Sequence, residues 1–209
     1  MKIVFRPSQL DKEFLGQEFA PVLRNCIDAF LILCAVFAGA VLLFPGFADN
    51  YLAMIQSAIE QAGVLDAETP AEMASLLFSN NVRATINAVF YGFIPFLRYP
   101  ALVLGTNALT LSAMGVTYIR DGLYTPAVFF AGILPHGIFE IPALLVSCAV
   151  GLCHCRLITD LILRKEIATH PRRQLVSLAW VYAAMALPLL LIAALVEAFL
   201  TPAIMQLFL

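Results

Sequence analysis

The sequence predicts an all-α fold: a polytopic helical membrane protein of about five transmembrane helices, the fourth broken near Pro135. Three observations carry this. Of the 209 residues, 62% are hydrophobic and only 12% are charged. Soluble domains run at roughly 45–50% apolar and about 25% charged. The apolar residues fall into runs near the length of about 20 residues that a bilayer-crossing helix requires. Finally, Pro and Gly stand at the ends and interruptions of those runs, not in soluble linkers. One membrane domain, 1–209, is expected, with no appended soluble module.

Residues 1–26 carry Lys2, Arg6 and Lys12 among Asp11, Glu13 and Glu18, with no small-residue cleavage site before the first apolar run. They read as a cytoplasmic amphipathic segment, bent or ended by Pro21. The first span is 27–47, stopped by Pro45-Gly46. A polar stretch, 48–81, follows with Asp49, Glu60, Asp66, Glu68 and Glu72. It reads as an extracytoplasmic loop. Within it, residues 51–65 have helical spacing, and Thr69-Pro70 starts another helix. The second span is 82–97 and contains Pro95; the third is 99–119. The fourth, 124–153, is overlong, and the fifth, 175–200, is kinked at Pro188.

Charge placement orients the chain. Lys and Arg favour cytoplasmic loops. Lys2, Arg6, Lys12 and Arg24 precede the first span; Arg98 follows the second; Arg156, Arg164, Lys165, Arg172 and Arg173 lie after the fourth. Only Arg83 and Arg120 fall on the other side. A cell-membrane protein with a cytoplasmic N-terminus and an extracytoplasmic C-terminus is expected. The net charge of −2 argues against nucleic acid as a partner, which calls for a basic face.

Polar residues inside the apolar runs carry the remaining information, because Asp, Lys or Arg at mid-helix costs roughly 2.5–3.5 kcal/mol on insertion scales. His136 and Glu140 are four apart, so a continuous helix puts them on one face. Pro135 favours a break just before them, and Gly137 a close backbone approach. Pro142 closes the segment. Glu197 joins them from the fifth span, and Asn107 caps a helix or bonds across spans. This set reads either as hydrogen-bonding glue between helices or as a site for a substrate, ion or proton.

Catalytic motifs are missing from the sequence. It has no HExxH, no P-loop, no dinucleotide fingerprint and no nucleophile elbow. Cys153-His154-Cys155 is spaced too tightly for a zinc knuckle and has no second pair. The five cysteines form no disulfide framework. No cofactor or metal is expected. An intramembrane metalloenzyme using one His and two Glu is the remote alternative.

The stretch LPHGIFEIPA, 134–143, resembles the Pro-His-Gly-x-x-Glu signature of the stage II sporulation protein M family, a group of integral membrane proteins. FSNNVRATINAVFYGF, with Asn80 and Asn81, is similar to the family's second-span start. GTNALTL sits where the family has an Asn-Gly pair, with Ala108 in place of the glycine. IAALVEAFLTP, with Glu197, Thr201 and Pro202, resembles its closing segment. The resemblance implies a non-catalytic scaffold or subunit of a membrane complex. In sporulating relatives that complex remodels cell wall. Expected partners are then the lipid bilayer and other membrane or extracytoplasmic proteins, peptidoglycan hydrolases among them, or a second copy of the chain. The alternative is a transport-related, permease-like protein with an intramembrane His–Glu site.

Overall fold

A computed structural model of the chain describes residues 12–61, 67–122, 125–167 and 170–208. Residues 1–11 of the expected amphipathic segment and 62–66 of the expected loop lie outside the described residues. Helix dominates, and among the described residues there is no strand. In chain order, α1 is Lys12–Leu43, α2 Pro45–Gln61, α3 Pro70–Tyr91 and α4 Tyr99–Arg120. Two long helices close the chain, α5 at Pro126–Ile162 and α6 at Pro171–Met205.

Helix starts follow from proline and capping chemistry. Pro45, Pro70, Pro100, Pro126 and Pro171 each occupy the first or second helical position, where the missing N–H costs nothing. Thr69 Oγ1 accepts from the Glu72 N–H and Glu72 Oε2 accepts from the Glu68 N–H, at 3.2 and 3.0 Å. Thr125 Oγ1 caps α5 in the same way by accepting from Val128 N–H.

Among the described residues, four helices, α1, α4, α5 and α6, are long and apolar enough to cross a membrane. With α3 packed among them, the bundle has the expected five long helices. The polar residues of α3, Glu72, Asn80, Asn81 and Arg83, keep it out of that set of four. Leu77 of α3 packs with Ala194 of α6, and Thr85 bonds Tyr182 further along, so the two helices run antiparallel. At 37 residues, α5 is ~56 Å long at 1.5 Å per residue. It is the hub: 67% of its most apolar stretch is buried, against 17–28% in the other three. Side chains on the outside of α1 are apolar and exposed, from Val36 at 58% to Leu43 at 75%. That is the surface a hydrocarbon solvent calls for.

Two expectations are corrected. The second span does not run 82–97 as one helix. Its helix begins at Pro70 and ends at Tyr91, and 92–98 is a turn containing Pro95. The turn docks on α5: Phe96 N–H donates to Thr159 Oγ1 at 3.2 Å and Cys155 Sγ donates to the Ile94 carbonyl at 3.4 Å. Nor is α5 broken near Pro135. It stays α-helical through Pro135 and Pro142. Each proline removes one hydrogen bond, to Ala131 O and Ile138 O, but a helix held on several sides by neighbours retains its path.

Prolines elsewhere act differently. Three five-residue π-helical turns, Leu15–Phe19, Tyr182–Ala186 and Val196–Leu200, each precede an X-Pro pair: Ala20-Pro21, Leu187-Pro188 and Thr201-Pro202. In every case the residue before the proline donates its N–H five residues back, to Leu15, Tyr182 and Val196. A proline ring collides with the carbonyl four residues earlier. Widening the preceding turn moves that carbonyl aside without ending the helix.

Candidate functional site

His136 and Glu140 lie one turn apart on α5, on a face that also carries Gly137 and Leu144. Leu134 and Ile138 of the same stretch point outward, more than half exposed. Glu197 approaches from α6, where it belongs to the π-helical turn Val196–Leu200. One ligand-capable atom from each of His136, Glu140 and Glu197 lies within 4.8 Å of the other two. All three side chains are half-buried. Thus the pair meets Glu197 between α5 and α6.

Thr201, one turn beyond Glu197, completes the group. Its Oγ1 lies within hydrogen-bonding distance of both the Val196 carbonyl, at 3.2 Å, and His136 Nδ1, at 3.5 Å. This long contact holds the ring toward α6. Among the described residues, neither Glu140 nor Glu197 has a hydrogen-bonding or ion-pairing partner. No Lys or Arg occurs in 125–155 or 174–209, so neither α5 around the cluster nor the corresponding part of α6 brings a cation near.

On one side the cluster borders a cavity of about 190 Å³ lined by His136, Gly137 and Glu140 of α5, Asn107 and Thr110 of α4, and Phe30 of α1, among others. Asn107 is therefore in the same neighbourhood, but its Nδ2 donates to its own helix, to Val103 O at 2.8 Å. Gly137 makes no close backbone approach. A methyl group there would meet only Ile133 and Ile141 at 3.5 and 3.8 Å, so the glycine widens the cavity. Pro135 and Pro142 flank the His–Glu pair within the continuous helix. Asn80 and Asn81 lie on α3, Asn80 exposed and Asn81 half-buried, and do not line the cavity.

The remaining polar groups tie helices together. Buried His154 donates from Nδ1 to Val89 O at 3.3 Å and stacks on Phe93, which makes it an anchor of α3 on α5. Ser112 Oγ lies 3.0 Å from Cys34 O of α1. Tyr51 of α2 bonds Thr110 Oγ1 at 2.7 Å, and Arg120 bridges Asp49 and Asp121 at 3.1 and 2.6 Å. Arg83 is exposed on α3.

Sequence reasoning did not single out Thr201 as a member of the cluster, nor the π-helical turn that presents Glu197. The available signal was the Thr201-Pro202 pair four residues after an acidic residue. A second cavity, about 280 Å³, lies nearer the other end of α5, against Phe14, Glu18, Arg156, Asp160 and Gln174.

The sequence profile described as stage II sporulation protein M matches residues 29–202. The chain belongs to the stage II sporulation protein M family. The matched region starts within α1, ends just inside the last turn of α6, and contains His136, Glu140, Glu197 and Thr201. No curated protein and no solved structure matches the chain. Family membership and four apolar helices together make this a polytopic helical membrane protein. Stage II sporulation protein M is not known as an enzyme family.

Proposed function

We propose that this stage II sporulation protein M relative is a non-catalytic subunit of a membrane complex, a helical scaffold that holds partner proteins at the bilayer. The observation that carries the reading is the use of the polar side chains. His154, Thr85 with Tyr182, Ser112, Tyr51 and Arg120 all bond from one helix to another. Their work is to hold helices in fixed relation, which is what a scaffold needs. The 48–81 segment adds a docking surface of one sign: five acidic residues and no Lys or Arg. Placed outside the membrane, with the N-terminus cytoplasmic as the basic residues direct, it would meet extracytoplasmic proteins. Peptidoglycan hydrolases are the partners that the family resemblance implies.

Co-purification from native membranes in mild detergent, followed by mass spectrometry, tests this. A stoichiometric membrane or extracytoplasmic partner, lost when the acids of 48–81 are neutralised, is the expected result. Recovery of the chain alone or as a homo-oligomer, with no partner, overturns the hetero-complex. One observation favours a second reading, a permease-like transporter: the cavity beside His136 and Glu140. Substrate flux through liposomes containing the purified chain, abolished in Glu140→Gln, would establish that alternative.

A further inference from the structure

Two carboxylates and an imidazole converge between α5 and α6, in helices built of apolar residues. Among the described residues, Glu140 and Glu197 come together with no Lys or Arg and no hydrogen-bond donor paired to either. Two uncompensated negative charges cannot share an apolar site; a proton or a cation must stand with them. We propose that His136, Glu140 and Glu197 bind one divalent metal ion of the zinc, manganese or iron(II) class, and that this ion fastens the last turns of α6 to α5.

Three features support an ion. The first is size. A triangle with sides no longer than 4.8 Å has its centre at most about 2.8 Å from each corner. Metal–nitrogen and metal–oxygen bonds of about 2.0–2.2 Å are reached by small side-chain rotations, with no backbone movement.

Charge balance is the second. Two carboxylates and one divalent ion sum to zero, so the occupied site carries no net charge into the bilayer. Protons on both carboxylates would also neutralise the site, but would leave no bond joining α5 to α6 through the three side chains. The third feature is ligand chemistry together with its support. One imidazole nitrogen and two carboxylate oxygens suit borderline divalent ions. They do not suit copper(I), which prefers sulfur, and the nitrogen disfavours magnesium and calcium, which take oxygen. Thr201 Oγ1 lies 3.5 Å from His136 Nδ1, a neighbour able to orient the ring as the outer contacts of metal-bound histidines do. With three protein ligands, a fourth position is left for water from the adjoining cavity.

The test uses the full chain purified in mild detergent without chelator, then stripped with EDTA and titrated with Zn²⁺ or Mn²⁺. The expected result is uptake of one equivalent per chain and a rise in Tm. Glu140→Gln, Glu197→Gln and His136→Ala should each weaken uptake at least tenfold. Thr201→Val should weaken it about 10–100-fold, and Arg83→Ala should leave it unchanged. Should the ligand variants fail to fold, Co²⁺ added to the stripped wild-type chain reads the site directly. A visible spectrum of low-coordinate Co²⁺ with mixed nitrogen and oxygen ligands supports the assignment, and the pale spectrum of hydrated Co²⁺ overturns it. No uptake of Zn²⁺ or Mn²⁺ by the wild-type chain, with Tm unmoved, also overturns it and assigns the compensating charge to a proton.

Discussion

Gly92 and Gly151 meet backbone to backbone where the turn after α3 lies on α5. A methyl group on Gly92 would stand 2.2 Å from the Gly151 carbonyl oxygen. One on Gly151 would stand 2.4 Å from Ala88 O and 2.6 Å from Pro100 Cγ. No side chain fits at either position. Around this contact the turn bends sharply, with Phe96 and Arg98 at positive φ, and His154 bonds back to Val89. Close approach through small residues is how helices gain packing contacts in lipid, where burial of apolar surface offers no driving force.

Gly151→Ala should therefore destabilise the bundle. Overpacking costs typically about 1–3 kcal/mol, and contacts with backbone and a proline ring, which cannot swing away, place this site at the upper end. Gly137→Ala, which meets only ordinary van der Waals neighbours, serves as the control and should lose well under half as much. Thermal unfolding of both variants in the same detergent decides it; equal losses would refute the steric account.

The Thr85–Tyr182 contact, 3.1 Å between hydroxyls and buried between α3 and α6, is a single interhelical hydrogen bond. Such bonds average about 0.6 kcal/mol in membrane proteins, with a maximum near 1.7. A double-mutant cycle with Thr85→Val and Tyr182→Phe should return a coupling energy in that range. A coupling indistinguishable from zero would mean that the two hydroxyls do not act on each other.

At the end of α4, the Arg120 guanidinium holds the Asp121 carboxyl below the usual carboxylate range, chiefly through their hydrogen bond. A carboxylate whose folded pKa is depressed stabilises the fold above its unfolded pKa, and that stability fades as pH falls through the folded value. The Tm difference between wild type and Asp121→Asn should thus be present at pH 7 and shrink steadily below about pH 4. Because the pair is exposed, the difference at pH 7 should be small and should diminish in high salt. A difference that grows toward acid pH would reverse the assignment.

Helical continuity through Pro135 predicts that Pro135→Ala is tolerated. Alanine restores an N–H that can reach the Ala131 carbonyl, and it is about 3 kcal/mol better than proline in an unconstrained helix interior. Stability equal to or above wild type is expected, with unchanged helix content by circular dichroism. A loss beyond about 1 kcal/mol would show that the proline ring itself packs in a way alanine cannot replace.

Much of the architecture was legible in one dimension. Apolar runs of bilayer length located α1, α4, α5 and α6, because the solvent of a membrane helix imposes both its composition and its length. The Thr69-Pro70 pair marked the start of α3, since a cap hydroxyl followed by proline at the first position is local chemistry. His136, Glu140 and Glu197 stood out because charge inside an apolar run is costly whatever the fold.

Other features were not legible, for a common reason. Pro135 and Pro188 look alike in sequence, yet the first remains within a plain α-helix and the second follows a π-helical turn. What neighbouring helices press against each segment determines which solution is adopted. Gly137 drew attention by its place beside the histidine, whereas the close contacts belong to Gly92 and Gly151, 59 positions apart in the chain. Thr201 is an ordinary polar residue until α6 lies against α5 and brings its oxygen to the His136 ring.

The sequence by itself determined the helical class, the location of the apolar spans, the helix start at Thr69-Pro70 and the identity of the costly polar residues, all consequences of solvent and local backbone chemistry. Only the tertiary structure decided that α5 is the hub, that 92–98 turns back onto it, and that two carboxylates and a histidine from separate helices share one site. Convergence of that kind depends on crossing geometry, which packing between distant segments sets and no local pattern encodes.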